Sequence, residues 1–371
     1  MSFEKFQLDP TIQAGITKCG FADPTQIQEQ AIPSGLQGRD VMGLAQTGTG
    51  KTAAFALPIL QQLLQGPRGK VRSLILAPTR ELAEQISQSF QDLGRKTGQR
   101  VVTVYGGVSK SGQVRKLRSG ADVVVACPGR LLDLLRDRAV DLSNVQTLVL
   151  DEGDRMLDMG FMPDIRKILK KLPAQRQNML FSATMPRGIR EMAEEILRDP
   201  VRVQVEHEKP LQAINQSLYK VERRSKPQML MTLLRQGQEE ATLVFTRTKH
   251  MATKLAGKLN AAGLQAKDLQ GNMSQNNRQK VLQDFKKGGF NILVATDVAS
   301  RGIDVARIGH VINYDMPDTA EAYTHRIGRT GRVYASGEAS TFAEPGDFRL
   351  IKEIERAQNK KLQRRNLESS A

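Results

Sequence analysis

Short apolar runs and amphipathic helical patterns alternate along the chain. VRSLILAP (71–78) leads into TRELAEQISQSFQDL, ADVVVACP (121–128) into GRLLDLLRD, and TLVLDE (147–152) into DRMLDMGF. Runs this short and this rich in Val, Ile and Leu predict strands buried on both faces, and their interleaving with helices predicts βαβ units with a parallel sheet. The alternation stops after VRVQV (201–205). The following EHEKPLQAINQS (206–217) is polar, contains Pro210 and has no period. Residues 206–213 are therefore the predicted linker. Alternation resumes with ATLVFTRT (241–248) before KHMATKLAGKLNAAG, NILVATD (291–297) before VASRGID, and HVINYDMP (310–317). The pattern predicts an α/β chain of two tandem domains, 1–205 and 214–371, each a parallel sheet flanked by helices, the second ending in a short basic tail. A length of 371 residues agrees, being more than one core usually serves.

Composition narrows the partners. Hydrophobic residues at 39% and charged residues at 25% suit a folded globular chain. Fifty-five Lys and Arg against thirty-nine Asp and Glu leave a formal charge of +16, which favours a polyanion by field and counterion release, although solvated helix faces account for part of any such excess. Nucleic acid is the leading candidate. Trp is absent and aromatics are 5%, so a series of base-stacking platforms is not expected and recognition should fall on the backbone. Cys19 and Cys127 have no metal-ligand spacing and no disulfide framework, and both are expected to be inert. MSFEKFQLDP lacks the layout of a signal peptide, and no apolar run approaches the roughly 18 residues that span a membrane. The expectation is a cytoplasmic protein without membrane contact.

Two segments carry chemistry. In AQTGTGKT (45–52), Gly48 and Gly50 let backbone N–H groups turn inward around phosphate, Lys51 can reach the outer phosphates, and Thr52 can ligate Mg²⁺ at a helix start. The general P-loop has Gly where Ala45 stands. The stretch TLVLDEGD then places Asp151, Glu152 and Asp154 directly after a predicted strand. On those residues alone, a solvated helix start and a chemical site are equally good readings. A P-loop decides for chemistry, because it needs one carboxylate to hold Mg²⁺ through water and another to orient or deprotonate the attacking water. Asp151 and Glu152 fit these roles.

With these segments in place, the chain resembles the DEAD-box RNA helicases of helicase superfamily two, most closely the bacterial RhlE-like members, over nearly its whole length. GFADPTQIQ (20–28) is similar to the adenine-reading Q motif, with Gln26 in place of the usual Pro. It implies that Gln28 pairs with the base edge, that Thr25 takes part, and that upstream Phe3 stacks on the base. The P-loop residues Thr47, Gly48, Thr49, Gly50, Lys51 and Thr52 would hold ATP, and DEGD stands where the family writes DEAD, with Gly153 as the departure. Ser182, Ala183 and Thr184 resemble the motif that couples ATP state to RNA grip. HRIGRTGR (325–332) resembles the second domain's arginine motif, implying catalytic roles for His325, Arg329 and Arg332. DVASRGID (297–304) has Ser300 where Ala is usual and implies Asp304 near the ribose.

For RNA, the resemblance implies Pro78, Thr79, Arg80, Glu81, Gly106, Gly107, Pro128, Gly129 and Arg130 in the first domain. In the second it implies Thr246, Arg247, Thr248, Gly271, Gln275, Arg278, Thr296 and Asp297. Cys127 replaces a usual Thr. The implied fold is two RecA-like domains, and the implied activity is an ATP-dependent RNA helicase, acting as a monomer with Mg²⁺ and ATP, that grips one RNA strand and opens short duplexes. A nucleotide-gated RNA clamp with weak ATPase and a DNA translocase are the alternatives; the Q motif weighs against the second. Protein partners are not named by the sequence.

Overall fold

The computed structural model describes residues 2–46, 48–205, 214–236, 241–297, 307–330 and 337–365, with only the backbone at 275 and 276. The linker, Thr47, Ser300, Asp304 and Arg332 lie outside the described residues. The chain divides into two compact units, Met1–His207 and Glu208–Ala371.

The first unit is built on seven strands: β1 Val41–Leu44, β2 Ser73–Leu76, β3 Val101–Val104, β4 Val123–Ala126, β5 Thr147–Leu150, β6 Gln177–Ser182 and β7 Val201–Gln204. They lie parallel in the order β3-β4-β2-β5-β6-β1-β7. The near-continuous apolar runs have a simple cause. Along β2, Ile75 packs into one core while Leu74 and Leu76 pack into another, and along β5 Val149 opposes Leu148 and Leu150 in the same way. Helices cover both faces, so neither set of side chains can be polar.

The second unit repeats the plan with β8 Ile214–Lys220, β9 Ala241–Phe245, β10 Ala266–Leu269, β11 Ile292–Ala295, β12 Ile308–Asn313, β13 Gly337–Ala343 and β14 Gln363–Arg365, in the order β10-β11-β9-β12-β13-β8-β14, again parallel. The polar stretch 206–217 is thus not all connection, since Ile214–Ser217 enters β8. In parallel sheets of this kind ligands gather beyond the carboxyl ends of the strands. The fold therefore nominates the segments after β1 to β6 and after β9 to β12. No helix among the described residues is long and apolar enough to cross a membrane.

One buried polar contact makes the second unit acid-sensitive. His310 on β12 sits in the sheet with its Nε2 2.9 Å from Ser340 Oγ on β13, and burial pushes its imidazole from 6.5 down to about 4. Above its unfolded value the ring is neutral whether the chain is folded or not. Between the two values the unfolded chain takes up a proton that the folded chain excludes, so stability falls as the pH falls. Acidification from about pH 7 to about pH 5 should cost this unit about 2 kcal/mol, seen as a lower denaturation midpoint. His310→Asn should remove that increment of acid sensitivity; an unchanged pH slope would contradict the assignment.

Candidate functional site

From Leu44 at the end of β1 the chain turns into the helix Lys51–Leu63. Gly48 and Gly50 hold φ of +89° and +92°, a region open to glycine at no steric cost. Gly50 is doubly required, because a Cβ there would lie 2.4 Å from Gln28 Nε2 and 3.0 Å from Thr25 Oγ1. The Ala45 N–H donates to Ser182 O at 3.0 Å, joining the loop to the end of β6. Lys51 is buried, and its Nζ donates to Ala45 O at 2.7 Å, so the amine is held over the loop's own backbone. A glycine-rich turn, an inward ammonium and a helix N-terminus without acidic residues in its first turn together suit a phosphate.

The Q-motif residues touch this loop directly. Thr25 N–H donates to Gln28 Oε1 at 2.9 Å, Thr25 Oγ1 to Thr49 O at 2.7 Å, and Gln28 Nε2 to Gly50 O at 3.1 Å. Thr25, Gln28 and the glycine-rich loop are thereby one hydrogen-bonded unit. The expectation for Phe3 needs correction. Its ring is 1% exposed, packed edge-on against Phe6 and stacked on Phe21 with centroids 6.2 Å apart at 23°. Phe3 therefore cannot offer a face to a base. Phe21, 41% exposed, is the ring that can, with Phe3 buttressing it from behind. The signal was present in the sequence, as Phe21 lies inside GFADPTQIQ itself.

The acids after β5 are all buried. Burial pushes the Asp151 carboxyl from 3.8 up to about 6, with Lys51 pulling it back and Glu152 and Asp154 adding to the rise; its Oδ1 accepts from Glu152 N–H at 3.0 Å. Glu152 sits in the left-handed region, φ 54° and ψ 54°, which turns the chain sharply into the short helix Gly153–Asp158. Asp154 joins the coupling motif: its N–H donates to Ser182 Oγ at 3.1 Å, and its Oδ2 accepts from both the N–H and the hydroxyl of Thr184 at 3.0 Å. Ala183 carries the connection between those two hydroxyls.

Gly153 opens that helix without a positive φ, so nothing in the backbone demands glycine. A Cβ would meet Leu180 Cδ1 at 3.1 Å and Ile189 Cδ1 at 3.5 Å, which asks a flexible side-chain end to yield by a few tenths of an ångström. Gly153→Ala should therefore raise stability by less than about 1 kcal/mol, as the helix gain is partly offset by that contact. Turnover should rise by no more than about fivefold. Rescue of a nearly inactive protein by orders of magnitude would contradict this.

The remaining first-unit residues cluster beyond β2, β3 and β4. Pro78 is buried, and Thr79 caps the helix Arg80–Leu93, which begins with Arg80 and Glu81, by accepting from Leu82 N–H at 3.3 Å. The Arg80 guanidinium lies against the Gly106–Gly107 turn: a Cβ at Gly107, whose φ is +81°, would come 2.1 Å from Arg80 Nη1. Arg130 Nη1 donates to Val108 O at 3.2 Å. Both arginines are thus drawn to one turn. Pro128 and Gly129 open the helix Pro128–Arg136, whose N-cap, Cys127, makes no capping hydrogen bond; burial pushes its thiol up to about 12, in keeping with an inert residue.

In the second unit, Arg247 is exposed beyond β9, with its N–H held by Asp315 Oδ2 at 2.9 Å, and Thr248 caps the helix Lys249–Ala261. Thr246 is fully buried, with its hydroxyl donating to Thr248 O at 3.4 Å. Gly271 is exposed after β10, Gln275 opens the helix Gln275–Lys286, and Arg278 within it is buried. Thr296 and Asp297 follow β11. Both Asp297 oxygens accept from Arg326, at 2.6 Å each, while its side chain stays 39% exposed. Arg326 also donates to Asn313 Oδ1 at 3.2 Å and Asp315 O at 2.7 Å and stacks over Phe245 at 4.9 Å. It was missed in the sequence, although it lies within HRIGRTGR. His325 lies beside it in the last turn of the helix Ala320–Ile327, and Arg329 is buried two residues beyond that helix.

Known proteins place this arrangement. The family model described as DEAD/DEAH box helicase matches residues 25–192, and that described as helicase conserved C-terminal domain matches 225–334. The chain is 44% identical over 362 residues to the ATP-dependent RNA helicase CshA of Listeria monocytogenes, covering 97% of this chain and 69% of that one, and 41% identical over 366 residues to CshA of Bacillus subtilis. Among solved structures it is similar to S. cerevisiae Dbp5 bound to RNA and ADP BeF3, with a TM-score of 0.88 and 31% identity over 98% of this chain and 95% of that one. A DEAD box protein from Methanococcus jannaschii matches at 36% identity with a TM-score of 0.57. These relatives identify the family rather than its RhlE-like branch: the chain belongs to the DEAD-box helicases.

Proposed function

We propose that the protein is an ATP-dependent RNA helicase that holds single-stranded RNA by its backbone and opens short duplexes locally, driven by ATP hydrolysis. The observation that carries this reading is the chain of hydrogen bonds joining Ala45, Ser182, Asp154 and Thr184 across the ends of β1, β5 and β6. It gives the phosphate loop a direct mechanical link to the coupling motif.

In this reading Lys51 and the loop N–H groups hold the phosphates, Gln28 reads the adenine edge and Phe21 stacks on the ring. Phe21→Ala should raise the KM for ATP about tenfold, in line with the roughly 1–3 kcal/mol that a base–aromatic stack contributes; an unchanged KM would return the role to another residue. Thr52 and, through water, Asp151 offer the hard oxygens that Mg²⁺ prefers. When bound, Mg²⁺ neutralises charge on the β- and γ-phosphates. Glu152 orients the attacking water and takes its proton. In the second unit, Arg329 and Arg332 are the residues assigned to the γ-phosphate, with His325, and Asp304 is assigned to the ribose. Arg80, Gly106, Gly107, Gly129, Arg130, Arg247, Gly271, Gln275, Arg278 and Thr296 form the RNA track, where close backbone approach and guanidinium donors suit phosphate and 2′-OH. The clamp alternative is not favoured, because Asp151, Glu152 and Asp154 all keep ordered, buried positions despite Gly153.

The test is ATP turnover with no nucleic acid, with single-stranded RNA and with DNA of the same sequence at fixed salt. Strong activation by RNA and little by DNA is expected. Equal activation by both would favour the DNA translocase.

A further inference from the structure

Arg155 is a buried cation to which the proposed chemistry gives no task. Its side chain is 7% exposed and that of Glu152 4%; its Nη1 donates to Glu152 Oε2 at 2.5 Å. The other oxygen, Oε1, is buried and accepts no hydrogen bond among the described residues. Arg155 is itself anchored, its N–H donating to Asp154 Oδ1 at 3.0 Å. The left-handed turn at Glu152 and the helix Gly153–Asp158 bring the two side chains together at i and i+3. Burying an ion pair is a poor way to gain stability, as apolar residues of the same volume do as well or better. A pair that leaves one carboxylate oxygen unused, at the end of the strand where water must be activated, fits a positional purpose.

We propose that Arg155 is a positioning residue for hydrolysis: by occupying Oε2 it fixes the Glu152 carboxylate so that Oε1 is the oxygen that receives the proton. This rests on the reading of Glu152 as the base. In the step, an O–H bond of the attacking water breaks and its proton passes to Oε1. The water oxygen's electron pair forms the bond to the γ-phosphorus, and the bond to the bridging oxygen breaks with its electrons leaving on ADP. Arg155 touches neither water nor nucleotide. It decides which oxygen is presented and in what orientation, and a general base is effective only within hydrogen-bond reach of its proton.

The test uses the full chain with ATP, Mg²⁺ and saturating RNA. Arg155→Met should lower kcat by about tenfold or more while the KM for ATP stays within about threefold, and Arg155→Lys, which keeps a charged donor, should recover most of the loss. The decisive comparison is with Glu152→Gln. If Arg155 acts through Glu152, adding Arg155→Met to Glu152→Gln should change the residual turnover by less than about twofold. The same fold-loss in both backgrounds, or a fall in binding as large as the fall in kcat, would assign Arg155 a merely structural role and overturn the proposal. Should Arg155→Met fail to fold, Arg155→Leu, which likewise removes the donor to Oε2 while keeping apolar bulk, takes its place with the same expectations. Full turnover in Glu152→Gln alone would sink the base assignment itself. Lost turnover in Glu152→Gln with full turnover in Arg155→Met would sink only the role given to Arg155.

Discussion

Lys51→Ala should reduce ATP hydrolysis by roughly a hundredfold or more, the scale expected when a preorganised charge on the transferring phosphoryl group is removed. The structure makes the loss specific. The ammonium is buried and its hydrogen bond is to Ala45 O, inside the loop that would receive the phosphates. With nucleotide bound, that amine is the donor free to move from the carbonyl to a phosphate oxygen without crossing solvent. The fold should tolerate the change with a shift of about 1 kcal/mol, the usual worth of one hydrogen bond. Circular dichroism would verify the fold and phosphate release the activity. Wild-type turnover in Lys51→Ala would contradict the P-loop assignment.

Arg326→Ala should be the most damaging single change to the second unit. Arg326 serves Asp297, Asn313 and the Asp315 carbonyl at once and stacks on Phe245 from a site almost closed to solvent. Its loss leaves Asp297 without its bidentate partner and Asn313 and Asp315 without a donor they use. Asp297 is 39% exposed and water can take over part of its pairing, so the loss is that of the charged hydrogen bonds and of the donors to Asn313 and Asp315, about 2–3 kcal/mol, a large share of a domain's stability. Denaturant titration should find the second unit unfolding at a much lower midpoint while the first is unaffected. A change below about 1 kcal/mol would mean that the network is decorative.

These two residues mark how far the sequence could be read. Lys51 was legible because its job is local: the glycines, the lysine and the helix start lie within eight residues and define one another. The same holds for Asp151 and Glu152, which an apolar run delivers to the end of a buried strand. Arg326 was not legible. Its partners come from β9, from β12 and from the segments after β11 and β12, and an arginine among four cationic or ionisable side chains gives no hint which one turns inward. Phe3 failed for a related reason: its aromatic nature was plain, but whether a ring shows a face or supports another ring is set by packing, and Phe21 had the exposed place. Among the strands, the Val- and Leu-rich ones announced themselves. β8, INQSLYK, and β13, GEASTFA, did not, because their pattern is broken by buried polar residues such as Gln216, whose Oε1 accepts from Tyr323, and Ser340, which bonds His310. At Gly153, what the sequence could not supply was the methyl of Leu180 against it.

Whether ATP hydrolysis separates RNA strands is decided by strand displacement from an RNA duplex of about ten base pairs, short enough to come apart after one local opening. Release of the labelled strand should require ATP, be lost in Glu152→Gln, and fade as the duplex is lengthened, because a device that closes once on RNA and then lets go does not travel. ATP hydrolysis stimulated by RNA with no strand release from even the shortest duplex would contradict the claim and leave a nucleotide-gated RNA clamp.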